Sequence, residues 1–104
     1  MSLDIPSILA QMPTSVSSAL PFELDELADY ACAQWVACGH AQREAAPMLT
    51  HDARGWSVVI DGTTDKATRR QGGSRGGWPK LRLALLAAIL LAHRPELPIS
   101  GRAA

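Results

Sequence analysis

PKLRLALLAAILLAH, residues 79–93, constrains the fold of this 104-residue chain more than any other segment. Its pattern predicts a helix that begins at Pro79, a residue suited to the first helical position, and ends at His93. Leucine and isoleucine side chains point in every direction around this helix, so it lacks a polar face. Its longest wholly apolar run, Leu83 to Ala92, is too short to span a bilayer. We therefore expect a helix that is buried on all sides.

Covering this helix is the main demand that the sequence places on the fold. Burial of each large apolar side chain contributes ~1.5–3 kcal/mol, so much of the stability depends on the cover. The rest of the chain offers one amphipathic helix, a short strand or hairpin and an N-terminal arm. Association is the economical way to complete the cover, so we expect a homodimer or a complex with a partner protein. The alternative is that the arm and the hairpin suffice within a monomer.

Residues 22–46 predict the second main helix. Its apolar side chains recur at helical spacing and fall on one face, and its first turns are acidic, as the helix dipole favours. Pro47 is expected to end it. The apolar positions are Leu24, Leu27, Ala28, Ala31, Trp35, Cys38 and Gly39, and the acidic ones are Glu23, Asp25, Glu26 and Asp29.

A short strand or β-hairpin is predicted over residues 56–70. WSVVID, residues 56–61, is rich in β-branched side chains, and Asp61-Gly62 is typical of a hairpin turn. Residues 63–70 are open to two interpretations, a returning edge strand or a short capped helix. The preceding residues 48–55 are expected to form a connector with a turn at 52–55. The predicted fold class is therefore α+β, with main helices at about 22–46 and 79–93.

The length and charge indicate one small domain with an N-terminal extension. Prolines divide residues 1–21, so that no helix longer than about two turns fits there. We expect a partly flexible arm at 1–21 and a single domain over 22–104. Ten basic and ten acidic residues cancel, which argues against a dedicated nucleic-acid binder. The first basic residue is Arg43, so a signal peptide is not expected, and we predict a cytoplasmic protein.

The glycine-rich stretch RRQGGSRGGWPK, residues 69–80, invites several functional interpretations. Its four glycines are expected to break regular structure and to form a hinge that leads into the helix. G-x-S-x-G around Ser74 matches a nucleophile elbow, but an acid and a histidine do not follow in order. The two outer glycines have phosphate-loop spacing, but the lysine that should follow them is missing. A catalytic or phosphate-binding role is therefore not predicted.

Metal binding and other catalysis receive little support either. Cys32 and Cys38 stand six residues apart on a predicted helix and point in different directions, so they are interpreted as packed apolar side chains rather than as ligands with His40. His51-Asp52 could form a base with its orienting acid, but the sequence offers no nucleophile for that pair. We therefore predict a protein that is not an enzyme and that uses no cofactor and no metal.

Side chains of the types that dominate protein interfaces are the best candidates for a partner-binding site. Aromatic and arginine side chains are enriched at interface hot spots. The candidates are Tyr30, Arg69, Arg70, Arg75 and Trp78. Trp78 has the competing interpretation of a core residue that anchors the helix start. The basic loop at 66–82 could instead hold phosphates, as in a nucleic-acid-associated or phage-type inhibitor, and this is the alternative function.

Two segments carry a family resemblance: FELDELADYACAQWVACGHAQ and GGWPKLRLALLAAILLAH. In these segments and in its length, the chain resembles the QslA-type quorum-sensing anti-activators, which act on LuxR-type transcriptional regulators. The resemblance implies a homodimer that docks on the regulator and prevents its dimerisation and DNA binding. No site residues are transferred on this basis. The resemblance implies a protein partner. From the charge balance and the length of the apolar run, nucleic acid is the less favoured partner and no membrane partner is expected.

Overall fold

The computed structural model describes residues 4–40, 45–63 and 69–96, and within them it has an α+β fold, which confirms the predicted class. Four helices and a three-stranded sheet follow one another along this part of the chain. In order, they are α1 (Ile5–Gln11), α2 (Thr14–Ser17), α3 (Leu24–Ala37), β1 (Ala46–Asp52), β2 (Gly55–Thr63), β3 (Arg69–Trp78) and α4 (Leu81–His93).

The sheet is antiparallel throughout and has the order β1-β2-β3. β1 and β2 form a hairpin in which Asp52 pairs with Gly55, so Ala53 and Arg54 make a two-residue turn. The carboxylate of Asp52 accepts a hydrogen bond from the backbone N–H of Arg54 at 2.8 Å, a contact that stabilises such turns. The turn predicted at 52–55 is therefore present, and β2 contains the predicted strand.

Helix α4 lies at the centre of the molecule. β2, β3, α3 and α1 all pack against it, and almost every side chain from Leu83 to Ala92 is buried. The predicted all-round burial is thus achieved within one chain. α3, the sheet and the arm supply the cover, so the apolar surface of this helix gives no separate reason to expect a homodimer.

β3 replaces the predicted glycine hinge. Residues 69–78 form a ten-residue strand that pairs with β2 from Thr63 to Trp56. The register shifts between Ser74 and Trp78, where β3 carries extra residues opposite Ser57, and Gly77 has a positive φ of 80° inside this irregularity. The prediction was wrong because pairing with β2 holds the glycines in a strand that their own propensity disfavours.

The position of the Trp35 ring explains why residue 72 is a glycine. A Cβ atom at Gly72 would collide with the indole nitrogen of Trp35, so only glycine lets this ring lie against the strand backbone. At Gly73, where φ is 108°, a Cβ atom would collide with the carbonyl oxygen of Val58 on β2. Close approach, rather than flexibility, therefore accounts for Gly72 and Gly73.

Helix α3 is shorter than the predicted helix 22–46. It ends at Ala37 because Gly39, with φ of 85°, takes the left-handed conformation. The N–H groups of Gly39 and His40 then donate to the carbonyl oxygens of Val36 and Trp35, a Schellman ending. Gly39 had been assigned to the apolar face of the helix, whereas it acts as the stop.

The connector predicted over 48–55 and the turn predicted at Asp61-Gly62 were both wrong. Residues 46–52 form β1, and Asp61-Gly62 continues β2. Low strand propensity and Pro47 concealed β1, which is held by its hydrogen bonds to β2. Residues 64–68, left open between strand and helix, lie outside the described residues.

The N-terminal segment contributes to the core. Asp4 caps α1 by accepting a hydrogen bond from the N–H of Ser7 at 2.9 Å, and α1 packs on α4. Ile8 and Met12 from this segment, and Val16 from α2, are buried in the main hydrophobic cluster. In the described ranges, the longest apolar helix falls short of the length needed to cross a membrane.

Candidate functional site

β1 forms an exposed margin of the described structure that carries apolar side chains. It is an edge strand, paired with β2 on one side only, and its side chains are almost all exposed. Met48 is 50% exposed and Leu49 is 40% exposed. An edge strand presents unpaired backbone N–H and C=O groups, so this margin combines hydrogen-bonding capacity with apolar side chains.

Both faces of the sheet contribute to this margin. Met48 pairs with Val59, whose side chain lies on the face opposite the helices and is only half-buried. Leu49 pairs with Val58, which is fully buried beneath the helices, so Leu49 lies at the outer limit of the core-facing side. We call β1 with the neighbouring Val59 the β1 margin.

Another exposed apolar side chain precedes α3. Phe22, just before α3, is 80% exposed. The guanidinium of Arg82 lies 5.0 Å from its ring centroid and donates a hydrogen bond to its carbonyl oxygen at 2.7 Å. Arg82 therefore fixes the segment before α3 to the first turn of α4, and its guanidinium lies against an aromatic ring.

Of the five predicted partner-binding side chains, the structure describes those of Tyr30 and Trp78. Tyr30 lies on α3, half-buried, with its hydroxyl donating to the carbonyl oxygen of Val16 at 3.3 Å. Trp78 is 1% exposed, which agrees with its interpretation as a core residue and removes it from the surface. Arg69, Arg70 and Arg75 have their backbone in β3, and their side chains lie outside the described part of the structure.

Ser74 has a structural contact instead of a catalytic geometry. Its side chain is buried inside β3, and its hydroxyl donates to the carbonyl oxygen of Ala84 on α4 at 2.5 Å. A nucleophile elbow places its serine at a strand-to-helix turn, with the oxygen exposed. The G-x-S-x-G match is therefore a point of strand–helix packing.

His51-Asp52 likewise serves the hairpin. The imidazole of His51 packs on the ring of Trp56, with centroids 4.6 Å apart. Within the turn, the Asp52 carboxylate accepts a hydrogen bond from the backbone N–H of Arg54 and forms a 3.9 Å ion pair with the Arg54 guanidinium. The two side chains thus have separate local partners and do not form the pair of a general base with its orienting acid that the sequence suggested.

A polar cluster absent from the predictions lies where α3 and α4 end. The Sγ atom of Cys38 is 3.5 Å from Nδ1 of His93, and Nε2 of His93 is 2.8 Å from Oε1 of Gln34. All three side chains are half-buried. Cys38 and His93 are far apart in sequence, so no local spacing signals their contact.

The two cysteines differ in their surroundings. Cys32 lies in the core, where burial, with a smaller contribution from the charge of Asp29, raises the pKa of its thiol to about 11. Burial also raises the pKa of Cys38, which stays partly accessible. Within the described ranges, no three histidine, cysteine or acidic side chains are arranged to hold a metal ion.

A surface cavity of about 200 Å³ lies between β3 and the C-terminal parts of α3 and α4. His40 stacks on Trp35 with ring centroids 5.6 Å apart, and its Nε2 donates to the carbonyl oxygen of Ala92 at 2.7 Å. Nε2 of His40 is therefore occupied by a contact within the chain. The lining residues are Trp35, His40, Gly72, Gly73, Leu91, Ala92 and Pro95.

Comparisons with protein-family models, with curated proteins and with solved structures found no match to this chain.

Proposed function

We propose that this chain is a non-enzymatic regulatory protein that binds a partner protein through the β1 margin. The observation that carries the proposal is the exposure of Met48 and Leu49 on an edge strand. Isolated exposed apolar side chains are common on protein surfaces, but two in succession on an unpaired edge are a recurrent docking feature.

Strand addition is the binding mode that suits this margin. An extended partner segment forms backbone hydrogen bonds to the outer edge of β1, and its alternate side chains contact Met48 on one face and Leu49 on the other. Pro47 has no N–H to donate, so the pairing is strongest over residues 48–52. This arrangement uses backbone complementarity for affinity and the two apolar side chains for selectivity.

The proposed partner is a transcriptional regulator of the LuxR type, and the proposed activity is that of an anti-activator. This choice of partner rests on the family resemblance of the sequence. By occupying the surface through which the regulator dimerises, the chain withdraws protomers that would otherwise pair on DNA. Inhibition then depends on concentration and requires no chemical step.

A capture experiment with matched variants tests this proposal. Tagged chain is incubated with lysate of the native host, with and without nuclease treatment, and the retained proteins are identified for the parent, Leu49→Lys and Ala33→Lys. Ala33 is exposed on α3 and does not belong to the β1 margin, so its variant controls for the added charge. We expect a DNA-binding regulator to be retained by the parent and by Ala33→Lys, and to be lost with Leu49→Lys.

Two results would contradict the proposal. Retention of the regulator by Leu49→Lys would remove the β1 margin from the contact. Loss of all partners after nuclease treatment would instead support nucleic-acid binding by the basic residues of β3 and its flanks. Sedimentation of the purified chain across a concentration series adds the oligomeric state, since a second copy is the other partner that an edge strand accepts.

A further inference from the structure

At the C-terminal ends of α3 and α4, an imidazole contacts both a thiol and an amide. Cys38 follows the last residue of α3, Gln34 lies one turn earlier on the same helix, and His93 is the last residue of α4. The Cys38 Sγ–His93 Nδ1 distance is 3.5 Å, and the His93 Nε2–Gln34 Oε1 distance is 2.8 Å. The imidazole therefore bridges the other two side chains with its two ring nitrogens.

Gln34 determines which ring nitrogen of His93 carries the proton. Its Oε1 atom is only an acceptor, so the contact requires a proton on Nε2. In the neutral ring, Nδ1 then presents a lone pair, and this lone pair faces the thiol of Cys38. His93 is thus oriented as a proton acceptor for Cys38, and Gln34 is the positioning residue that holds it in this state.

Cys38 needs such a base. Burial raises the pKa of its thiol, and the nearby C-terminal end of α3 disfavours a negative charge. The resting group is therefore the thiol, whereas the nucleophile is the thiolate. An adjacent acceptor removes the proton as the sulfur attacks, and the same helix ends favour the imidazolium that results.

We propose that Cys38 is a modification site that forms mixed disulfides with low-molecular-weight disulfides, with His93 as its base. Nδ1 of His93 takes the thiol proton, and Sγ of Cys38 attacks one sulfur of the small disulfide. The S–S bond breaks, and the departing thiolate recovers the proton from His93. One disulfide is consumed and one is formed, so the exchange needs no further oxidant.

Modification changes the contact between the two helix ends. The attached group occupies the space between Cys38 and His93, so the 3.5 Å contact is lost while the Gln34–His93 hydrogen bond can remain. Cys32 does not share this chemistry, because it is buried and has no histidine contact in the described structure. The site therefore distinguishes one cysteine from the other.

The first test measures which thiol reacts. The folded chain is mixed with excess 5,5′-dithiobis(2-nitrobenzoate) at neutral pH, and release of the aromatic thiolate is followed for the parent, Cys32→Ala and Cys38→Ala. We expect Cys32→Ala to react at the rate of the parent, and Cys38→Ala to react only after denaturation. Fast reaction of folded Cys38→Ala, or no reaction of folded Cys32→Ala, would overturn the proposal.

The second test measures the roles of His93 and Gln34 in the Cys32→Ala background. Loss of the base in His93→Gln is expected to lower the exchange rate by about a hundredfold or more, the low end of general-base effects. Gln34→Leu should also lower it, whereas Gln34→Glu keeps an acceptor oxygen and should restore most of the rate. Circular dichroism verifies that each variant is folded. An unchanged rate in His93→Gln would overturn the assigned base.

Discussion

α4 and β3 pack against each other, yet their amino-acid compositions are very different. α4 is built almost wholly from leucine, isoleucine and alanine, while four of the ten residues of β3 are glycine. The helix supplies apolar side chains and the strand supplies close approach of its backbone. The comparison shows that a segment poor in side chains can form part of a core when its neighbours are large.

The largest expected effect tests the strand side of this comparison. Gly73→Val introduces a strained backbone at φ of 108° and a collision with the Val58 carbonyl oxygen. Strain of ~1–3 kcal/mol and overpacking of a similar size predict a loss of about 4 kcal/mol. Urea denaturation measures the free energy of unfolding.

Gly39→Ala is the matched control for that variant. Gly39 has a similar positive φ, but a Cβ atom there meets nothing within contact distance. We expect a loss of about 1 kcal/mol, from backbone conformation alone. Equal losses at the two glycines would mean that Gly73 lies in no close contact with β2.

The next effect tests the helix side. Leu85 is fully buried on α4, so Leu85→Ala leaves a cavity and should lower the free energy of unfolding by about 3 kcal/mol. Leu91→Ala on the same helix is the control, because Leu91 is only half-buried beside the surface cavity. The control should lose less than half as much, and equal losses would contradict burial of α4 by its own chain.

A smaller effect is expected where the two elements are hydrogen-bonded. Ser74→Ala removes the hydroxyl that donates to Ala84, at a cost of about 1 kcal/mol. Ser57→Ala, on the half-exposed face of β2, should change stability by less than about 0.5 kcal/mol. A neutral Ser74→Ala would show that β3 and α4 do not meet at this point.

The contact between Phe22 and Arg82 should give the smallest effect, since the ring is exposed. A double-mutant cycle with Phe22→Leu and Arg82→Met is expected to yield a coupling of about 0.5 kcal/mol. This value is measured by thermal unfolding of the four chains. A coupling of zero would mean that the Phe22 ring does not interact with the guanidinium, which leaves the hydrogen bond to the Phe22 carbonyl oxygen as the link between the two segments.

How far the fold follows from sequence differs between elements for physical reasons. α4 and β2 were predicted because α4 is almost wholly apolar and β2 contains a run of β-branched side chains. β1 and β3 were missed because a proline and four glycines mask strands that only their pairing with β2 maintains. The acidic first turns predicted where α3 begins. Its end was predicted too late, because Gly39 was assigned to the apolar face although it terminates the helix.

The candidate site was less predictable than the fold. Exposure of Met48 and Leu49 depends on which strand lies at the edge of the sheet, and local sequence does not predict the strand order. Trp78 carried two interpretations, and only its burial distinguishes them. The contact of Cys38 with His93 joins two helix ends that come together through the tertiary fold.

Amide hydrogen exchange of the purified chain tests the central claim most directly, because it reports on residues 72–78 and on α4 in one experiment. Amides of β3 that are bonded to β2 are predicted to exchange slowly and to be released together with those of α4, as parts of one cooperative unit. Exchange of residues 72–78 at the rate of an unstructured segment, with α4 still protected, would contradict the account and restore the glycine hinge.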